Sequence, residues 1–310
     1  MFSPGGVKTC GWVVALSLAT LAVGCGAGSA ERTLFERGTE GEEPAVTEVA
    51  AGGVRPEATS GVAPGGETEG SSSGAPFVAH PEASGGSGRG ADGILAVRFG
   101  MHEDYERVVL DLGAGREPAG TVPEWTLLSS AGDGLLRVSL PSVSATGVSD
   151  GSFGGSLLED FYVVRAPEGG MFVDVLARET FTYRVLELED PARLVIDFKP
   201  SGAPLEVPLP AEGGDTVLIE PRPGSRVDGT LTVSGYSRNP EASNSIVLMD
   251  SDDDVVARET TRSNDWSATW GYFEATLVVP PFTGRGTLRV GAQSARDGDF
   301  RGVEIPVKGN

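Results

Sequence analysis

The feature that most constrains the fold of this chain is a succession of short apolar runs that are rich in β-branched and aromatic residues. They recur about every 8–15 residues from residue 94 onward, and clusters of glycine, proline and aspartate separate them. No part of this region has the 3.6-residue apolar period that is typical of an amphipathic helix. Short strands with such spacing favour sandwiches and barrels, so the sequence predicts an all-β fold.

A segment rich in proline and glycine divides the β-rich region into two parts. The chain has 310 residues, which is enough for about two domains with additional segments. We therefore predict two consecutive β-sandwich domains, at 93–200 and 216–310, joined by a linker at 201–215. About seven strand-like runs fall in the second part, and their number and spacing match an immunoglobulin-like sandwich.

The first 24 residues resemble the export signal of a bacterial lipoprotein. The apolar run from Trp12 to Val23 is about a dozen residues long, whereas roughly 20 are needed to span a bilayer. It ends in the letters LAVGC, which resemble the lipobox, where cleavage before the cysteine accompanies attachment of diacylglycerol to its thiol. The sequence thus predicts Cys25 as a lipidated first residue of the mature chain. The alternative is an ordinary cleaved signal that ends before Glu31.

Residues 25–92 are rich in glycine, serine, glutamate and proline, and their apolar residues are sparse and without period. Such a segment buries too little surface to offset its chain entropy, so we predict a disordered acidic tether between the anchor and the first domain.

The whole chain has a net charge of −20, which opposes electrostatic binding to nucleic acid. Nucleic acid is therefore not a predicted partner.

Two strand-like runs share an unusual pattern of arginine, apolar, valine, apolar, aspartate, apolar. They are RVVLDL, which begins at Arg107, and RLVIDF, which begins at Arg193. If the two strands pair antiparallel and in register, Arg107 lies opposite Asp197 and Arg193 lies opposite Asp111. Opposite charges across a ladder contribute about 0.2–1 kcal/mol each, so these residues would fix the register. The alternative is that the two arginines line a groove for an anionic or sugar ligand.

With these strands, residues 93–200 resemble the AMIN-type domain of bacterial envelope proteins. The letters DPARLVIDF, which begin at Asp190, match the strand with which that family's domain ends. The resemblance implies a small β-sandwich that positions a protein at the cell wall, often by binding peptidoglycan. It provides no ligand-binding residues that can be carried over to this chain.

The last part of the chain, 217–308, resembles the immunoglobulin-like Gmad domain of spore-germination and other exported bacterial proteins. The matching segments are a proline-rich turn that begins at Pro221, the letters FEATL from Phe273 and the run SARDGDFRGVEIPV from Ser294. The resemblance implies an extracytoplasmic module for binding or assembly, without known chemistry.

Few residues of the chain have the pattern of a catalytic or metal site. The only histidines are His80 and His102, and no G-x-S-x-G motif accompanies them. No cysteine and histidine residues have zinc-binding spacing, and the acidic run at 250–254 lacks the glycine and glutamate that an EF-hand loop needs. We interpret that run as a hairpin turn, and we predict a protein that is not an enzyme and has no cofactor or metal.

An aromatic cluster, NDWSATWGYF, contains Trp266 and Trp270. If this stretch is extended, the two side chains share one face of a strand and form a platform on which sugar rings could stack. In the other interpretation, one tryptophan packs in the sandwich core and the other caps it. Both interpretations are open at the level of sequence.

The sequence as a whole predicts a lipid-anchored protein on the outer side of the cell membrane. An AMIN-like sandwich and then an immunoglobulin-like sandwich would bind or scaffold peptidoglycan or a partner protein of the envelope, and diacylglycerol on Cys25 would hold the chain at the membrane. The alternative function is that of an accessory subunit or a hydrolase in remodelling of the cell wall.

Overall fold

The computed structural model describes residues 75–294 and 298–309. The predicted signal peptide, Cys25 and the tether as far as residue 74 lie outside the described residues. Strands and two short 3-10 turns are the regular elements of the described part, which confirms the predicted all-β class. In that part, no helix has the length and apolar character needed to cross a membrane.

The first domain is built from short strands joined by turns. Its strands are β1 (Glu82–Gly85), β2 (Gly93–Met101), β3 (Glu106–Ala114), β4 (Glu117–Pro118), β5 (Trp125–Ser130), β6 (Leu135–Leu140), β7 (Ala145–Thr146), β8 (Asp150–Ser152), β9 (Leu158–Arg165), β10 (Met171–Ala177), β11 (Phe181–Leu188) and β12 (Arg193–Pro200). A 3-10 turn at Ala131–Asp133 lies between β5 and β6.

These strands form two layers. Sheet A has the strand order β11-β12-β3-β2-β7, with β4 beside β3, and the first half of sheet B has the order β1-β5-β6-β10-β9, with β8 beside β9. Alternate residues of both layers, such as Leu110, Ile196, Leu127 and Val173, meet in one apolar core. Because side chains alternate along a strand, the residues between them face outward and form two outer faces.

The second domain is a second sandwich. Its strands are β13 (Ala211–Gly213), β14 (Thr216–Glu220), β15 (Thr230–Ser237), β16 (Ser243–Met249), β17 (Val255–Arg262), β18 (Trp270–Val278), β19 (Arg285–Gln293) and β20 (Phe300–Lys308). A 3-10 turn at Pro240–Ala242 precedes β16. One layer has the order β18-β15-β14-β13 and the other has the order β17-β16-β19-β20, and Val233 and Leu288 are among the residues of the core between them.

Sheet B continues from the first domain into the second. A short parallel pairing of β9 with β18 joins the two halves, with Trp270 beside Val164 and Gly271 beside Arg165. Apolar residues of both halves form a third buried group, which we call the interdomain cluster: Tyr162, Val164, Phe172, Leu176, Val217, Tyr236 and Trp270. The second domain therefore covers the outer face of β9 and β10.

Residues 75–92, which we call the strap, are part of the fold, so the prediction of disorder up to residue 92 was wrong for this segment. Strand β1 pairs with β5 of sheet B, while Val78 forms a bridge with Tyr183 of sheet A. The N–H of Gly86 also donates to the carboxylate of Glu187. Backbone N–H and C=O groups make these contacts, and such bonds do not depend on apolar composition, which is why the sequence pattern missed them.

The predicted linker at 201–215 also contains structure that the sequence did not indicate. Strand β13 lies within it and pairs with β14. Leu209 packs against the interdomain cluster, and the N–H of Glu206 donates to the carbonyl of Gly132. This segment therefore lies against the folded domains and is not a free linker.

A chain that starts at Gly93 should be less stable than one that starts at Ala75. The truncation removes the pairing of β1 and uncovers Trp125, which is 4% exposed in the complete fold. Since burial of a large apolar side chain contributes about 1.5–3 kcal/mol, we expect the free energy of unfolding to fall by about 2 kcal/mol in urea denaturation. Equal stability of the two chains would show that the strap is not part of the folded unit.

Candidate binding face

The outer face of sheet A, which we call the open face, carries a ladder of arginine and aspartate side chains. Antiparallel pairing of β3 with β12 places Arg107 opposite Asp197 and Arg193 opposite Asp111. This is the register that the repeated pattern predicts. The residues that alternate with this outward set, including Leu110, face the core.

Asp197 is the centre of the ladder. Its side chain is fully buried, and it accepts hydrogen bonds from Nε and Nη2 of Arg107 at 2.6 and 3.0 Å and from Nε of Arg184 at 2.6 Å. Arg184 lies directly across from Asp197 on β11. A buried carboxylate is costly unless it is paired, and here two guanidinium groups compensate one carboxylate. This arrangement holds both arginines in fixed positions.

A second ion pair of the open face includes an arginine that the sequence analysis missed. Asp111 accepts hydrogen bonds from Nε and Nη2 of Arg98 at 2.7 and 3.0 Å. Both side chains are a little over one fifth exposed. The signal was present, because Arg98 is the single charged residue in an apolar run of β2.

A matching ion pair lies on the opposite outer face of the first domain. Arg137 of β6 lies opposite Asp174 of β10, and two hydrogen bonds of 2.8 Å join the guanidinium to the carboxylate. The guanidinium also lies 3.9 Å from the centre of the Phe172 ring. Neither residue is predicted from the sequence, although each is the single charge within an apolar strand.

The second domain covers this ion pair. The hydroxyl of Tyr236 donates to Asp174, which is completely buried. Burial and then the charge of Asp174 raise the pKa of Tyr236 well above its ordinary value, so the hydroxyl remains a donor. Burial alone would lower the pKa of Arg137, but the charge and the hydrogen bonds of Asp174 raise it overall. One outer face is thus occupied by the chain itself, whereas the open face carries partly exposed arginines.

The two tryptophans of the predicted sugar platform do not lie together on one strand face. Trp270 begins β18, is buried in the interdomain cluster and donates from Nε1 to Asp150 at 3.0 Å. Trp266 lies in the preceding turn and is 45% exposed. The carboxylate of Asp265 forms this turn by accepting three successive backbone N–H groups, so the stretch is not extended as the platform would require.

The pKa of Asp265 reflects its role in that turn. Burial alone would raise it, but the N–H groups of Ala268, Ser267 and Trp266 and the guanidinium of Arg165 lower it overall. Arg165 lies on β9 and contacts Asp265 at 3.3 Å, so this ion pair also joins the two domains.

The other residues that the sequence analysis considered lie in turns or in the strap. His102 lies in the turn between β2 and β3, and its ring stacks on Tyr105 at a centroid distance of 4.3 Å. His80 is an exposed residue of the strap. The acidic run at 250–254 forms the turn between β16 and β17, where Asp250 accepts backbone N–H groups, as predicted. Within 75–294 and 298–309, no three acidic, histidine or cysteine side chains are arranged to hold a metal ion.

Several acidic side chains lie close together at the edge of the interdomain cluster. Glu212 of β13 shares a hydrogen bond with the hydroxyl of Tyr162, near Asp160 and Glu159. Burial raises the pKa of Glu212, the hydrogen bond lowers it, and the neighbouring carboxylates raise it again, with a raised value overall. Burial likewise raises the pKa of Asp160. Because folding raises the pKa of Glu212 and Asp160, their ionised carboxylates lower the free energy of unfolding.

Replacing Glu212 by glutamine should stabilise the protein at neutral pH. A raised pKa means that the folded state binds a proton more readily than the unfolded state, so the native protein gains stability as the pH falls from 7 toward 4.5, the ordinary value of the group. The amide oxygen can still accept the hydrogen bond of Tyr162. At pH 7 we expect the melting temperature of the variant to be a few degrees above that of the unaltered protein. We also expect it to change less with pH than the melting temperature of the unaltered protein does.

The control for this measurement is Glu117→Gln, which changes an exposed glutamate of the first domain. We expect its melting curve to follow that of the unaltered protein at each pH. A lower melting temperature of Glu212→Gln at pH 7 would contradict the account of this acidic group.

The described part of the chain is thus a two-domain β protein in which the second domain covers one outer face of the first, while the other outer face carries partly exposed arginines. Residues 93–200 match the family model of the AMIN-like domain. Residues 217–299 match Gmad2, the immunoglobulin-like domain of bacterial spore germination. The chain therefore carries an AMIN-like domain followed by a Gmad2 domain, in the predicted order. A comparison with curated proteins finds no match.

Proposed function

We propose that the protein is a lipid-anchored, extracytoplasmic module that binds peptidoglycan through the open face without chemical transformation. The observation that carries the proposal is that the Gmad2 domain occupies one outer face of the AMIN-like sandwich through Tyr236, while the ladder on the other face retains partly exposed arginines. AMIN-like domains are associated with peptidoglycan binding, which supports this choice of ligand.

The chemistry of the open face suits a polar polymer. Arg98, Arg107 and Arg184 are each held by a carboxylate, so their remaining surfaces have defined positions. A fixed guanidinium binds carboxylate, hydroxyl and amide oxygens with little loss of side-chain entropy. Sheet A is several β-strands wide, so its outer face is broad enough for an extended glycan strand of peptidoglycan to lie on it.

Attachment to the membrane is a separate part of the proposal. Its support is the apolar run followed by LAVGC, and a chain of net charge −20 is not attracted to anionic lipid headgroups by electrostatics. Metabolic labelling with an alkyne fatty acid tests it by comparing the native chain with Cys25→Ser. We expect label on the native chain alone, and absence of label on both would contradict the anchor.

Binding and catalysis can be separated with purified peptidoglycan and the chain 26–310. This chain retains the strap, which belongs to the fold. We expect the protein to sediment with the wall material and to release neither sugar nor peptide. Soluble wall fragments would contradict the non-enzymatic part of the proposal, and absence of sedimentation would contradict the binding part.

A further inference from the structure

One tryptophan of the described part of the chain is not used by the fold. Trp125 is buried, and its indole Nε1 donates to Glu187 at 2.8 Å. Trp270 is also buried, and its Nε1 donates to Asp150 at 3.0 Å. Trp266 is 45% exposed, and among the described residues its ring contacts no other ring and no cation, while its Nε1 donates to no acceptor. The folded chain therefore leaves this ring and its N–H group open to a ligand.

The turn that carries Trp266 has a defined shape. One oxygen of the Asp265 carboxylate accepts the N–H groups of Trp266, Ser267 and Ala268 at 2.7, 3.0 and 3.1 Å. The other oxygen accepts hydrogen bonds from Nε and Nη2 of Arg165 at 3.3 Å. A single carboxylate thus fixes three consecutive backbone groups of the turn and joins them to an arginine of the first domain.

The residues on either side of the turn attach it to β9 and β18. The side-chain amide of Asn264 donates to the carbonyl of Arg165 at 3.1 Å and accepts the N–H of Tyr272 at 2.8 Å. The hydroxyl of Thr269 donates to the carbonyl of Val163. Because both domains hold the backbone of this turn, a ligand that packs on the Trp266 ring orders little additional structure.

The groups that the turn offers to a ligand suit an uncharged, polar ring. Asp265 and Arg165 are paired with each other, so the two charged side chains that shape the turn are already engaged. Ser267 and Ala268, which follow the ring, are small and exposed. The apolar face of a pyranose can pack on an indole ring, and a sugar hydroxyl or acetamido oxygen can accept the indole N–H.

We infer that Trp266 stacks on a neutral sugar ring of the glycan strand, which gives the Gmad2 domain its own contact with the cell wall. The inference rests on the proposed function and deepens it, because it adds a contact of different chemistry to that of the arginines on the open face. The platform that the sequence suggested contained two tryptophans. Since Trp270 is buried, the contact consists of one ring.

Titration with an uncharged glycan tests the inference, and the probe is the β-1,4-linked tetramer of N-acetylglucosamine. The chain 26–310 lacks Trp12, and its other tryptophans apart from Trp266 are buried, so a change in tryptophan emission on binding reports on Trp266. We expect the emission maximum to move to shorter wavelength as the sugar displaces water from the ring. Absence of binding in calorimetric titration, or binding without a change in emission, would overturn the inference.

Variants at Trp266 separate stacking from other modes of binding. We expect Trp266→Leu to lower the calorimetric affinity for the tetramer about tenfold and to leave the melting temperature unchanged, because backbone N–H groups hold the turn. Trp266→Phe keeps a ring without the N–H group and should have an intermediate affinity. The matched control is Val278→Ala, which changes another exposed apolar side chain of the same domain and should have no effect. Unaltered affinity of Trp266→Leu would overturn the inference.

The failure of this inference and the failure of the proposed function are observed in different experiments. If the unaltered protein sediments with peptidoglycan but Trp266→Leu binds the tetramer with full affinity, only the role of Trp266 is contradicted. If the unaltered protein does not sediment with peptidoglycan, the proposed function is contradicted, and with it the assignment of the sugar to the cell wall.

Discussion

Replacing Asp174 by alanine is expected to lower the free energy of unfolding by about 3–5 kcal/mol. Asp174 is completely buried and accepts two hydrogen bonds from Arg137 and one from Tyr236 of the second domain. Without the carboxylate, the charge of Arg137 remains largely enclosed and the Tyr236 hydroxyl loses its acceptor. Urea denaturation followed by circular dichroism measures the loss.

Tyr236→Phe is the companion variant, because it removes only the hydroxyl that reaches across the domain boundary. A neutral-to-charged hydrogen bond contributes about 1.5–3 kcal/mol, so we expect a loss smaller than that of Asp174→Ala. If Asp174→Ala unfolds at the same urea concentration as the unaltered protein, the pair does not join the domains in the way that the structure shows.

Replacing Asp197 by alanine is expected to cost a similar amount, about 3–5 kcal/mol. Its carboxylate is fully buried between Arg107 and Arg184, and its loss leaves two guanidinium groups close together without a counter-charge. Repulsion between them should separate β3 and β11 from β12 at this end of the ladder. The measurement is again the free energy of unfolding in urea.

The control for Asp197 lies on the same face. Asp111 pairs with Arg98, but its side chain is 24% exposed, and water can replace the lost partner. We expect Asp111→Ala to cost no more than about 1 kcal/mol, as for other surface ion pairs. Equal losses for the two aspartates would mean that burial does not determine the strength of the ladder.

Local patterns were sufficient for the strands and for one register. Arg107 and Asp197, like Arg193 and Asp111, occur at matching positions of two similar runs, and strand geometry alone places them opposite one another. Arg98, Arg184 and Arg137 were missed because their own strands, β2, β11 and β6, carry no copy of the repeated run. For these residues, only the tertiary pairing shows which aspartate each arginine contacts.

The joint between the domains could not be read from the sequence. A parallel pairing of two residue pairs, Trp270 with Val164 and Gly271 with Arg165, has no local signature. The buried position of Tyr236 likewise depends on how sheet B brings its two halves together. The strap was missed for a related reason, since it is held by backbone groups and by contacts of Val78 and Gly86 with distant strands.

The central claim is that the open face of the AMIN-like domain holds the cell wall, and a pair of arginine variants tests it most directly. Arg98→Gln changes the open face, while Arg289→Gln changes a partly exposed arginine of the second domain that is also paired with a carboxylate. In sedimentation with purified peptidoglycan, we expect Arg98→Gln to reduce affinity about tenfold and Arg289→Gln to leave it unchanged. Undiminished binding by Arg98→Gln, or an equal loss in both variants, would contradict the claim.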